Sequence, residues 1–144
     1  MVAQTPLNLA RLLVACWRIS GPDARIPSSH GILDRALHGL KEAGQLPQWA
    51  REALSFVDSR VGLQCVELAE ALDAAQEAEL TAAPNPSYSY TEVKVSPALA
   101  RRLARQLGLD GAEATAFGQA LRESVAAAKA ELEEFEAATL QTPE

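Results

Sequence analysis

Aromatic residues make up only 5% of this sequence, cysteine and histidine number two each, and methionine occurs once. Two cysteines, Cys16 and Cys65, are too few for a disulfide framework, and both fall inside apolar helical patterns. They are expected to be reduced and buried, which points to a cytoplasmic protein. No long apolar run occurs either. The greasiest stretch, residues 7–19, is broken by Asn8 and Arg11 and is well short of the ~20 residues that cross a bilayer, so no membrane partner is expected. No basic segment precedes it and no small-residue cleavage site follows, so a signal peptide is not expected. No glycine-rich turn follows a strand and no phosphate loop, metal cluster or internal repeat is present, so no cofactor is expected.

What is abundant is alanine and leucine, 28 and 20 of the 144 residues. Both favour helix, and with so few aromatics the core must be built from Leu, Ala and Val. Leu, Ile, Val and Phe are too frequent and too periodic for a disordered chain. The expectation is a mainly α-helical single domain of five or six helices, with one small β-hairpin or strand at about residues 80–95 and a long C-terminal helix. Residues 1–109 form the body and residues 110–140 the long helix, a dimerisation element.

The net charge of -6 is distributed in blocks: +2 over residues 1–66, -6 over 67–92, +3 over 93–122 and -5 over 123–144. An acidic chain is repelled by phosphate backbones, so nucleic acid is the weaker candidate as a partner and would need a local basic face. Blocks of opposite sign can equally compensate one another within the fold or across a subunit contact.

Thr5 with Pro6 reads as the N-cap and first position of a first helix, with Leu9, Leu12, Leu13 and Cys16 on one face. Gly21 and Pro22 end it, and residues 21–29 read as an ordered loop. A second helix over about 29–43 buries Leu33, Ala36, Leu37 and Leu40. Pro47 opens a third, whose inner face is Ala50, Ala53, Leu54 and Val57, widened by Trp49 and Phe56. The spacing Val61, Cys65, Leu68, Leu72, Ala75 predicts a helix to about Glu79, although Val61, Leu63 and Cys65 also alternate as a strand would. Its outer side carries Glu67, Glu70, Asp73 and Glu77, an acidic ridge without a cation.

After Pro84, Asn85 and Pro86, residues 88–95 form a strand candidate with Ser89, Thr91, Val93 and Val95 on one side. Its backbone needs a partner, and the simplest is residues 80–83 across the proline turn; the same strand of a second subunit is the other. Ser96 and Pro97 start a helix carrying Leu99, Leu103 and Leu107. Asp110 with Glu113 then matches a capping box opening a helix that runs to about Thr139. Leu121, Val125, Ala128, Leu132 and Phe135 alternate spacings of four and three, the period of a coiled-coil seam, so a second copy is expected to cover them. On this reading, removing residues 122–144 leaves a soluble monomer.

His30, Asp34, His38 and Glu42 lie four apart and would stack along one helical ridge. Neighbouring pairs could share a metal ion, but the outer histidines are ~12 Å apart along the axis, and an ordinary solvated face shows the same pattern. The only bases for a serine or cysteine nucleophile are these two histidines, so no enzyme is expected.

Residues 100–121 resemble a helix-turn-helix: Leu103 and Ala104, then Leu107, Gly108 and Leu109, then Phe117 match its small contact residue, its turn glycine and a later apolar position. The resemblance departs near Ala114, where a branched apolar residue is expected, and at Gly118. It implies that Thr115, Gln119 and Arg122 reach bases or phosphates, with Arg101, Arg102 and Arg105 as backbone contacts. Residues 66–72 followed by the β element imitate winged-helix order, though the acidic ridge there repels phosphate. A plain helical hairpin explains the same residues.

The functional expectation is a non-enzymatic regulatory or protein-interaction module acting as a homodimer, with a DNA-binding transcriptional regulator as the alternative. Its working parts are the seam and, for another protein, the ridge of Glu67, Glu70, Asp73 and Glu77 with Tyr88 and Tyr90. The tyrosines serve as anchors in that reading and cap the domain's own core in the other.

Overall fold

The computed structural model describes residues 2–28, 31–60, 62–83 and 90–141. Among these residues, six helices and two small two-stranded antiparallel sheets make a single domain with a long C-terminal helix. The elements run α1 (Pro6–Ser20), β1 (Arg25–Pro27), α2 (Ile32–Glu42), α3 (Gln48–Ala53), β2 (Phe56–Ser59), β3 (Gly62–Cys65), α4 (Leu68–Glu77), β4 (Tyr90–Glu92), α5 (Pro97–Gln106) and α6 (Gly111–Gln141).

The centre of the domain is α1, buried from Leu12 through Trp17 without interruption. A helix apolar on all sides must be enclosed, and α4, α5 and α6 pack around it. Its start is as expected: the Thr5 side chain accepts from the Asn8 amide at 3.1 Å and Pro6 holds the first turn. The other caps follow their sequence signals. Ser96 Oγ accepts from the Leu99 amide at 3.1 Å, and Asp110 Oδ1 accepts from the Glu113 amide at 2.7 Å while Glu113 Oε1 accepts in return from the Asp110 amide at 3.3 Å.

Three expectations change. The third helix stops at Ala53, six residues long, and Phe56 begins a strand, so Val57 lies not on an inner helical face but 47% exposed. The helix over 61–79 begins only at Leu68, because Gly62–Cys65 pairs with Phe56–Ser59 as a hairpin, with Ser59 opposite Gly62. Gly62 takes φ 109° at this reversal, a conformation that a residue with a Cβ disfavours. The alternation of Leu63 and Cys65 was therefore the true period, and residues far along the chain fix it. Asp34 on α2 accepts from the Cys65 amide at 2.8 Å, and Glu67 accepts from the Ser55 amide at 2.7 Å.

The third change concerns the strand near residue 90. Its main partner is Arg25–Pro27, inside the expected loop, with Ile26 opposite Thr91. The segment expected to pair with it contributes one bridge, Thr81 to Val93, on the opposite edge, with Ala82 N donating to Glu92 O and Lys94 N to Leu80 O, both at 2.8 Å. Both edges of β4 are thus satisfied within one chain, and no second subunit is needed there. Thr91, Val93 and Val95 all face the core, as the alternation predicted. Pro84, Asn85, Pro86 and Ser89 lie outside the described residues.

Candidate interaction surfaces

The long helix is not an appendage. Over residues 111–128 it is part of the core, with Ala114, Phe117, Leu121, Val125 and Ala128 all buried against α1 and α2. Three of the five seam residues, Leu121, Val125 and Ala128, are 0%, 5% and 4% exposed within the single chain. Leu132 is half-buried against the same core, and Phe135 is 68% exposed. The four-three stripe is thus covered by the chain's own core through Ala128 and grows more exposed beyond it.

Several polar groups hold the near end in place. Gly118 lies where α6 crosses the C-terminal turn of α1: a Cβ there would run into the Cys16 carbonyl oxygen and come within 2.7 Å of Ser20 Cβ. The glycine that weakens a recognition helix on sequence grounds is what permits this approach. One turn on, Arg122 stacks over the Trp17 ring at 4.2 Å and donates to the carbonyls of Trp17 and Asp23 at 2.6 and 2.8 Å and to Ser20 Oγ at 2.8 Å. Burial lowers its pKa; the Asp23 charge raises it and the neighbouring Arg18 lowers it further. On the α2 side, Ser124 Oγ donates to the Ala36 carbonyl at 2.7 Å.

Of the residues assigned to a helix-turn-helix, Arg122 has its Nε and Nη2 engaged at the end of α1. Thr115 donates its hydroxyl to the Gly111 carbonyl at 2.8 Å, and Gln119 is exposed. Arg101, Arg102 and Arg105 are all exposed on α5, and Arg101 and Arg105 border a crevice of about 180 Å³ with Ile19 and Thr115. Asp110 lines the same crevice, and an acid there opposes phosphate.

The acidic ridge survives in part. Glu70, Asp73 and Glu77 are exposed on α4, whereas Glu67 is half-buried and accepts from the Ser55 amide. Tyr90 is half-buried, with the Arg25 guanidinium 5.3 Å from its ring centre, so it is a packing group as much as an exposed anchor. Tyr88 lies outside the described residues.

His30 also lies outside them, so the ridge of His30, Asp34, His38 and Glu42 is described only from Asp34 onward. There Asp34 is held by the Cys65 amide. His38 pairs with Glu42 at 3.3 Å and meets the Phe56 ring edge-on at 5.1 Å. Among the described residues no three His, Cys, Asp or Glu side chains gather as metal ligands would. Both cysteines are free and buried; burial pushes Cys16 up to about 12 and Cys65 to about 11, which keeps both as neutral thiols.

Two structural residues gave little sign of themselves in the sequence. Arg18 donates to the Val95 and Val93 carbonyls at 2.9 and 3.1 Å, tying α1 to the chain leaving β4. Lys41 donates to the Leu54 carbonyl at 2.9 Å and lies 5.5 Å over Phe56, covering the turn into β2. A cation in the last turn of a helix was the available signal, since it suits the terminal carbonyls. Among the described residues no helix is long and apolar enough to cross a membrane. Compared with protein-family models, with curated proteins and with solved structures, the chain matches none.

Proposed function

We propose that this chain is a non-enzymatic interaction module that pairs with a second copy of itself through the distal turns of α6. One observation carries the reading: the stripe that packs against α1 and α2 through Ala128 continues in register to Leu132 and Phe135, while the helix runs on to Gln141. At ~1.5 Å per residue, that extension past Ala128 is roughly 20 Å long. A spacing of four and three is the one that a second helix covers, and an identical helix brings the same spacing. The polar side chains singled out as candidates for chemistry support the same reading. Asp34, Glu67 and Arg122 are committed to backbone groups that hold the fold together.

The test is light scattering on the full chain and on a variant with Leu132→Glu and Phe135→Glu. The expected result is a dimer that becomes a folded monomer. A wild-type chain that remains monomeric at its highest soluble concentration overturns the proposal. So does a dimer indifferent to both substitutions.

A further inference from the structure

Two helices of this domain each expose charge of a single sign. On α4, Glu70, Asp73 and Glu77 form one stripe with Val66 at its head, 54% exposed, and the helix contains no cation. On α5, Arg101, Arg102 and Arg105 are exposed with Leu99 at the first turn, 36% exposed, and the helix contains no acid. None of these six charged residues joins an ion pair among the described residues. Glu70 and Asp73, Asp73 and Glu77, Arg101 and Arg105, and Arg102 and Arg105 are like-charge neighbours three or four apart, a spacing that destabilises a helix. Glu77 adds a negative charge at the C-terminal end of α4, where the helix dipole is already negative. A surface of the opposite sign relieves each face.

We infer that the two faces meet across two copies of the chain, the acidic stripe of α4 in one copy docking on the arginine face of α5 in the other. The inference rests on the reading that the chain pairs with itself, and it adds a second contact to that pair. A second copy is the occupant because it carries the complement with matching dimensions. The two helices are each ten residues long. Laid side by side in the same direction, Glu70 meets Arg102 and Asp73 meets Arg105, with Leu99 one residue beyond the level of Val66. The end of α4 and the start of α5 are held together by the Thr81 to Val93 bridge and the Lys94 to Leu80 hydrogen bond. The acidic stripe therefore ends, and the arginine face begins, at one place on the domain. The net charge of -6 opposes approach at long range, but at physiological salt that repulsion is screened beyond about 8 Å while contacting pairs are screened less.

The experiment is sedimentation velocity on full-length charge reversals, each checked for helix content by circular dichroism. One variant carries Arg101→Glu, Arg102→Glu and Arg105→Glu; the other carries Glu70→Lys, Asp73→Lys and Glu77→Lys. Each alone is expected to weaken self-association by about ten-fold or more, because it sets like charges against each other. Mixed in equal amounts, the two variants are expected to regain wild-type association, since each now offers what the other lacks. Variants that associate as the wild type does, or a mixture that stays as weak as its parts, overturn this inference and leave the α6 reading standing. Association lost in the charge variants but kept in the Leu132 and Phe135 variant has the opposite consequence. Arginine-dependent binding to duplex DNA with unchanged self-association assigns the α5 face to nucleic acid and overturns the inference as well.

Discussion

Residues 111–128 of α6 and residues 129–141 continue one helix and one apolar stripe, yet they live in different surroundings. In the first part the stripe is sealed by α1 and α2, with Leu121 wholly enclosed and Gly118, Arg122 and Ser124 each fitted to a particular backbone carbonyl. In the second, every side chain described is exposed except that of Leu132. A period of three and four therefore reports that a face is covered, and says nothing of whether the cover comes from the same chain. The polar residues carry that information. Where α6 belongs to its own core, the flanks of the stripe carry a glycine, an arginine and a serine with defined partners. Beyond Ala128 they carry Lys129, Glu131, Glu133 and Glu134, all exposed.

The contrast can be broken most sharply at the core end. Leu121→Ala is expected to destabilise the fold by about 3 kcal/mol, the usual range for emptying an enclosed leucine site. Leu132→Ala, half-buried, is expected to cost about 1 kcal/mol by the area it covers. Equal midpoints in urea for the two variants would show that the two halves of the helix are not distinct. The same division moves the informative truncation. Removing residues 122–144 takes away Arg122, Val125 and Ala128 and opens the core, whereas a cut after Ala128 removes only the distal part.

Arg122→Ala should cost about 2 kcal/mol, because the stacking on Trp17 and the charge-assisted hydrogen bonds to the Trp17 and Asp23 carbonyls are lost together. Arg122→Lys should recover less than half of that, since an ammonium cannot both stack on Trp17 and reach two carbonyls. Thermal melts of the two variants check this, and full rescue by lysine would contradict the stacked, forked geometry. The smallest effect lies beneath the same crossing, at Cys16. Its thiol titrates at about 12 when folded against a reference of 9.0, so the folded state favours the protonated form. The associated stability is complete below pH 9 and is lost as pH rises from there toward 12. The loss amounts to about 1 kcal/mol by pH 10. A Cys16→Ala variant should show a shallower alkaline decline in urea stability, and an unchanged slope would remove Cys16 as its source.

Much of this architecture could be read from local signals. Thr5, Ser96 and Asp110 each cap the helix predicted for them, because capping needs only groups within one turn. The seam was legible as a period, but that Leu121, Val125 and Ala128 are covered by the chain's own core was not. The hairpin of Phe56–Ser59 and Gly62–Cys65 was less legible. Its strands are four residues each, too short to establish a period, and the contacts that select it come from Asp34 and Glu67. Among candidate functional residues, Arg122 and Glu67 were conspicuous as charges, but only their positions disclosed that each is satisfied by backbone. Arg101, Arg102, Arg105, Glu70, Asp73 and Glu77 remain on the surface, where the charge blocks had placed them.

Composition and spacing alone determined that this protein is helical, where most helices begin, and which faces are apolar, because propensity, capping and amphipathicity act within a few residues of chain. Tertiary structure alone decided that β4 pairs with Arg25–Pro27, that Gly118 lets α6 lie against Cys16, and that the seam divides at Ala128. Those outcomes depend on which surfaces compete for the same apolar stripe or backbone donor, and the competitors lie tens of residues apart. Burial rewards whichever partner fits most closely, and closeness of fit exists only once the helices are packed.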